Sequence, residues 1–289
     1  MSSSCPFLEV SDNSSNNTAA DHNFSFTARL ETQNTLSITM PSFLITGSSR
    51  GLGLAFATEL LKTPANKVIA TARNTAGSAG LQALATKYTK NRLVLIDLDV
   101  TNPTSIKNAV VEAEKHLPDG LDNLISNAGI ATDPLASFDN LDLDDLKKEV
   151  EFNTTTPINI IRGFLPLIRK GNAKKILVVT SQLGSIEIGF HMVNLSNAYS
   201  VAKAALNMLI RKWSPVLKSE GITAVLIHPG WVGDTDMGSS IADWVAQNAP
   251  DLRSVPEEES AEGCMKVLGK ATLEDAGLFY NFDGTKIPW

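Results

Sequence analysis

From residue 41 onward, short apolar runs alternate with longer stretches of helical period. The runs are S-F-L-I-T (42–46), K-V-I-A-T-A (67–72), R-L-V-L-I-D-L (92–98), D-N-L-I-S-N (122–127), K-I-L-V-V-T (175–180), I-T-A-V-L-I-H (222–228) and G-L-F-Y-N (277–281). Near-continuous apolar runs of this length suit strands that are buried on both faces. The helical stretches fall near 51–62, 103–117, 143–170, 197–219 and 258–270. Strands and helices taking turns argue for a parallel sheet with right-handed crossovers. The expected fold class is α/β: a doubly wound parallel sheet of about seven strands with helices on both faces. A chain of 289 residues is ample for one such domain, and no repeat or second domain is evident. Pro215 falls late in the 197–219 stretch, where it should kink the helix or end it early.

Residues 1–40 have a different character. S-D-N-S-S-N-N-T is polar, and no strand or helix period follows, so the segment reads as a disordered extension to a domain at 41–289. It has no apolar core of the kind a secretory signal needs. Glu9, Asp12, Asp21 and Glu31 against Arg29 alone argue against a mitochondrial transit peptide. Met40 stands directly before the first strand and could serve as an alternative start. A chain beginning at Met40 is expected to keep its melting temperature and turnover; a large loss of either would show that the extension packs or functions.

The net charge of −6 argues against nucleic acid or an anionic membrane as a partner, and no apolar run reaches membrane-spanning length. Cys5 lies in the polar segment and Cys264 in the domain, which argues against a structural disulfide and fits a reducing, cytoplasmic setting.

The first strand runs into T-G-S-S-R-G-L-G (Thr46–Gly53), and a helix follows. In that position Gly47 permits a tight turn, Gly51 lets the backbone approach a pyrophosphate, and Gly53 allows close helix–strand packing. The helix N-terminus adds free N–H groups and a positive dipole end. With a strand before it and a helix after it, this reads as a Rossmann-type dinucleotide turn, the plainer alternative being an ordinary βα turn. NAD enzymes place an acid at the end of the second strand, but no acid occurs from Val68 to Gly80. Arg73 and Arg50 offer guanidinium groups to a 2′-phosphate instead, which favours NADP(H). The plainer alternative makes Arg73 a solvated surface charge.

Tyr199 and Lys203 stand four residues apart in Y-S-V-A-K, on one helix face. A free phenol titrates near 10, too high for work at neutral pH, and a neighbouring cation is expected to lower it. A phenol tuned in this way can exchange a proton with a carbonyl oxygen while a cofactor moves hydride. Read plainly, Tyr199 is a core aromatic and Lys203 its snorkelling neighbour.

Taken in order, these elements resemble the short-chain dehydrogenase/reductase family over residues 41–289. The turn through Gly47, Ser49, Arg50, Gly51, Leu52 and Gly53 is similar to its T-G-x-x-x-G-x-G, and I-D-L-D-V-T to its acidic third-strand end. The resemblance implies adenine contacts by Asp99 and Val100. It implies ribose contacts by Asn127, Ala128 and Gly129 of S-N-A-G, and nicotinamide contacts by Pro229, Gly230 and Val232 of H-P-G-W-V. It also implies a catalytic tetrad of Asn153, Ser181, Tyr199 and Lys203, the last two touching the cofactor as well. S-S-R-G-L-G-L, T-D-M-G and the ending G-L-F-Y-N-F-D-G-T-K-I-P-W are similar to sniffer-type carbonyl reductases, the bacterial C-signal protein and fungal norsolorinic acid-type ketoreductases. Gly233 and Asp234 make one residue more than usual before Thr235, which puts Thr235's expected cofactor contact in question. The span from Ser181 to Tyr199 is also long for the family.

The resemblance implies NADPH-dependent reduction of a ketone or aldehyde. Tyr199 is the proton donor, Ser181 holds the oxygen, Lys203 tunes Tyr199 and binds the ribose, and Asn153 holds a relay water. The alternative is an NADP(H)-binding signalling protein with little turnover. Local readings compete at each position. Ser181 could cap a turn, and Asn153 could lie on a solvated helix face. Four histidines without ligand spacing point to no metal, and His228 reads as a satisfied structural residue. Trp231, Met237 and Trp244 are either core or pocket cover. Ile158, Ile161, Phe164, Leu206, Leu209 and Ile210 put apolar residues on more than one side of their helices, which suggests a homodimer.

Overall fold

The computed structural model describes residues 40–137 and 139–289, so the segment expected to be disordered lies outside them save for Met40. Each apolar run becomes a strand: β1 (Ser42–Ile45), β2 (Lys67–Ala72), β3 (Leu93–Asp97), β4 (Asn123–Ser126), β5 (Lys175–Val179), β6 (Thr223–His228) and β7 (Phe279–Asn281). They form one sheet in the order β3-β2-β1-β4-β5-β6-β7, and every pair is parallel.

The strands lack polar alternation because both sheet faces are dry. Successive side chains point to opposite faces. Leu44, Leu124, Ile176 and Leu226 therefore join one core with Phe164, Leu206 and Phe279. Their neighbours Ile45, Ile125, Leu177 and Ile227 join a second core with Phe56, Leu61 and Leu268.

The helices are α1 (Gly51–Lys62), α2 (Ala79–Lys87), α3 (Pro103–His116), α4 (Leu143–Val150), α5 (Thr156–Lys170), α6 (Ile186–Gly189), α7 (Asn197–Ser219), α8 (Asp236–Ser239), α9 (Ala242–Asn248) and α10 (Glu257–Lys270). The single helix expected at 143–170 is interrupted by a π turn, Glu151–Thr155, between α4 and α5. Pro215 does not end α7 early: the helix runs on to Ser219. Its last turn is tied down by Leu217, which is buried and whose carbonyl accepts from Glu220 N and Ile222 N.

Ile158, Ile161, Phe164, Leu206 and Ile210 all lie in one core, with Leu209 packed against it. These residues cover the sheet and do not supply a second face. The large apolar side chains that α7 leaves outside are Val201, Met208 and Val216, each more than half exposed, at spacings of seven and eight.

Beyond β7 the chain reverses at Gly284 and runs back along it. Asn281 N donates to Thr285 O (2.8 Å) and Ile287 N to Phe279 O (2.9 Å), with an antiparallel bridge between Tyr280 and Lys286. Among the described residues no helix is long and apolar enough to cross a membrane.

Candidate active site

Strand order reverses between β1 and β4, and the carboxyl ends of the strands there are where an open α/β sheet accepts a ligand. The turn after β1 is built for close approach. Gly47 sits at φ +71°, and a Cβ on Gly53 would lie 2.1 Å from Gly47 O and 2.7 Å from Asn127 Nδ2. Asn127 sews the turn after β4 to it: Nδ2 donates to Thr46 O (3.0 Å) and Gly47 O (3.2 Å). Thr46 Oγ1 in turn accepts from Asn127 N and Ala128 N.

Arg50, which precedes α1, gives it no side-chain cap, and its first turn carries no acid. Its leading N–H groups and positive dipole end are thus left for an anion, and the residues present fit a dinucleotide pyrophosphate. Thr235 reaches this turn despite the extra residue before it: its Cγ2 lies 3.5 Å from where a Cβ on Gly51 would be. Its Oγ1 caps α8, accepting from Gly238 N (3.0 Å).

The rim beside β2 carries the two arginines. Arg73 is exposed at the end of β2. Its charge reaches Asp99, whose carboxyl is held below the usual range, first by bonds from Thr101. The 72–75 link is braced by Asp97, which accepts from Thr75 N and Oγ1. Val100 turns its side chain into the core. Arg50 faces Asp236 (2.9 Å), with both side chains more than two-thirds exposed, so this ion pair is weak.

Tyr199 and Lys203 share one side of α7, with Lys203 Nζ 5.3 Å from the phenol ring centroid. Lys203 is buried and donates to Val179 O at the end of β5 (3.0 Å). Ser181 follows two residues later, buried; its Oγ accepts from Leu183 N (3.2 Å), so the local turn-capping role is real as well. Asn153 is not on a solvated face. It is fully buried in the π turn, where its amide accepts from Ile130 N (3.0 Å) and donates to Ile130 O (2.8 Å). A Cβ on Gly129 would lie 3.3 Å from Asn153 Oδ1 and 3.8 Å from Lys203 Nζ, so these two groups flank one glycine. Thr154 Oγ1 ties the π turn to α7 through Ala202 O (2.8 Å).

Electrostatics reverse one expectation. Desolvation raises the Tyr199 phenol above its ordinary value, and the Glu149 carboxylate raises it further. Burial lowers Lys203 to about 8, with Glu149 opposing. At this partly buried phenol the lowering expected from a neighbouring cation is outweighed by desolvation and by Glu149.

Sequence reasoning missed Glu149. It is buried on α4, one turn before Asn153; its Oε1 accepts from Thr132 N (2.7 Å) and from the Thr132 hydroxyl. Its spacing of four from Asn153 was the available signal.

The segment after β6 borders the same crevice. Gly230 sits at φ +84°, Val232 is buried, and Pro229 O accepts from Ser260 Oγ. His228 is buried, but its Nδ1 has no hydrogen-bond partner among the described residues, so it is not a satisfied residue. Burial pushes its pKa down to about 4. Trp231, Met237 and Trp244 are not core. Trp244 Nε1 reaches Val193 O (3.3 Å) on the long segment between Ser181 and Tyr199. That segment exposes Ile186, Phe190 and Val193. Among the described residues no group of three or more His, Cys, Asp or Glu side chains is arranged to hold a metal.

Residues 42–246 match the family model of short chain dehydrogenases. The short chain dehydrogenase gsfK of Penicillium aethiopicum is 34% identical, covering 85% of this chain and 98% of the relative. The NADPH-bound carbonyl reductase from chicken fatty liver superposes with a TM-score of 0.76 at 35% identity, covering 86% of this chain and 99% of that one. Carbonyl reductase Sniffer of D. melanogaster gives a TM-score of 0.76 at 30% identity, covering 86% and 100%.

Proposed function

This chain belongs to the short-chain dehydrogenase family and is an oxidoreductase acting on carbonyl or alcohol groups, and within that chemistry we propose that it reduces a ketone or aldehyde of a small molecule with NADPH. The observation that carries this reading is the pairing of Tyr199 and Lys203 on α7, next to a glycine turn whose helix end is left for an anion. The cofactor, when bound, supplies the hydride.

The chain's own groups supply the rest. Tyr199 gives a proton to the carbonyl oxygen, and Ser181 orients that oxygen by a hydrogen bond. Lys203 holds a positive charge beside the phenol and binds the nicotinamide ribose. Asn153, flanking the same glycine as Lys203, holds the relay water. The same residues serve alcohol oxidation in reverse.

NADPH preference rests on the acid-free end of β2 and exposed Arg73. We expect kcat/KM to be higher with NADPH than with NADH, and Arg73→Ala to weaken NADPH more than NADH. Arg50, exposed and only weakly paired with Asp236, should contribute in the same direction. Turnover of a carbonyl panel with each cofactor tests the whole reading. An NADH advantage would sink the cofactor assignment, and no turnover with either would move the protein to the signalling alternative.

A homodimer is also proposed, now from the Val201, Met208 and Val216 stripe. Light scattering should report a dimer at micromolar concentration and a monomer for Met208→Glu; a wild-type monomer refutes it.

A further inference from the structure

We propose that Glu149 is a positioning residue for the chemistry at Tyr199 and Lys203, acting through its buried charge and not by touching substrate. The inference rests on the reading of that pair as the proton-transfer site.

Glu149 and Asn153 are one turn apart and grip the same segment after β4, Glu149 at Thr132 and Asn153 at Ile130. That segment starts at Gly129, which Asn153 Oδ1 and Lys203 Nζ flank. The next residue of the π turn, Thr154, holds the backbone of α7 one residue before Lys203. Glu149, Asn153 and Lys203, all buried, are therefore tied to one another through Gly129–Thr132 and the backbone of α7.

Only half of the Glu149 carboxylate serves the structure. Oε1 takes both Thr132 donors, while Oε2 is buried without a hydrogen-bond partner among the described residues. A buried carboxyl oxygen without a partner is costly, and a glutamine could accept the same two Thr132 bonds, so holding the loop does not by itself account for a glutamate here.

The charge has a use at Lys203. An ammonium has three protons to share, and Lys203 makes one hydrogen bond to the protein, to Val179 O, in a site that burial makes hostile to cations. Glu149 is the charge that opposes this loss, and it also favours the protonated phenol of Tyr199. Both effects favour the forms needed to reduce a carbonyl: charged Lys203 and protonated Tyr199. Among the described residues no other titratable side chain enters the cluster from the neighbouring elements. Gly129–Thr132 and Ser181–Ser185 carry none, and Glu151 of the π turn is exposed.

The test is NMR titration of the lysine ε-carbons in the full chain, assigned with Lys203→Met, which reads Lys203 without turnover. Wild type should titrate near 8. Glu149→Gln should lower the midpoint by roughly half a unit or more, and the alkaline limb of kcat/KM for carbonyl reduction should move to lower pH with it. Thr132→Val, which loosens the loop but keeps the charge, should leave the midpoint in place. An unchanged midpoint in Glu149→Gln overturns the proposal, as does a midpoint that Thr132→Val moves equally. If Glu149→Gln does not fold, wild type still decides: a Lys203 midpoint below about 7 would show that Glu149 does not keep the ammonium charged. Absence of carbonyl turnover in wild type would defeat the proposed function while leaving the midpoint measurement standing.

Discussion

Tyr199→Phe is expected to lower carbonyl reduction at least about a hundredfold, ~2.7 kcal/mol of barrier, the scale of losing a general acid. The substitution removes one oxygen from a half-buried ring on α7, so packing and melting temperature should hold. NADPH affinity, read by fluorescence titration, should change little. Lys203→Ala should impair both turnover and cofactor binding, because one ammonium serves both. The double variant should be little worse than Lys203→Ala, as happens when residues act as a unit. In wild type, Lys203 is charged below its pKa of about 8 and loses that charge above it. The reductive kcat/KM should therefore fall as pH rises through that region. Near-wild-type turnover in Tyr199→Phe, with cofactor still bound, would leave the proposed mechanism without its acid.

Gly53→Ala is expected to damage the nucleotide turn itself. The added methyl would lie 2.1 Å from a backbone carbonyl and 2.7 Å from the Asn127 amide, which already donates to that carbonyl. The Gly47 carbonyl is backbone and cannot swing aside as a side-chain end can, so the turn itself must open. Overpacking of this kind costs ~1–3 kcal/mol, and the melting temperature should fall accordingly. NADPH affinity should drop about tenfold or more, ~1.4 kcal/mol. Gly269→Ala is the control: it lies on α10 with open space where the methyl goes, so it should leave both properties intact. An unchanged melt and affinity in Gly53→Ala would mean that the turn can relax.

The strands were legible because both faces of the sheet are dry, which writes each one as an unbroken apolar run. The glycine turn was legible because backbone approach leaves few alternatives to glycine. α2 was missed because it buries only Leu81 and Leu84, too few to show a helical period, and relies on a Ser78 cap. α6, α8 and α9 are too short to carry a pattern. The π turn was invisible because its residues read as ordinary helix, although it is what buries Asn153. The outward side of α7 was misjudged because Leu206 and Ile210 announce an apolar helix without saying which side meets the sheet. The direction of the Tyr199 shift depends on Glu149 and on burial, and neither follows from the four-residue spacing to Lys203. The Arg50–Asp236 contact joins positions far apart in the chain, and no local pattern reports it.

The return of the chain along β7 bears on assembly. An edge strand ordinarily offers a row of unpaired backbone groups on which another sheet can grow. Here Phe279 O and the N–H of Asn281 are already taken by Ile287 and Thr285. β7 itself is thus withheld from strand addition, and a second copy approaching that side meets the short return of Thr285–Ile287 instead of a bare strand.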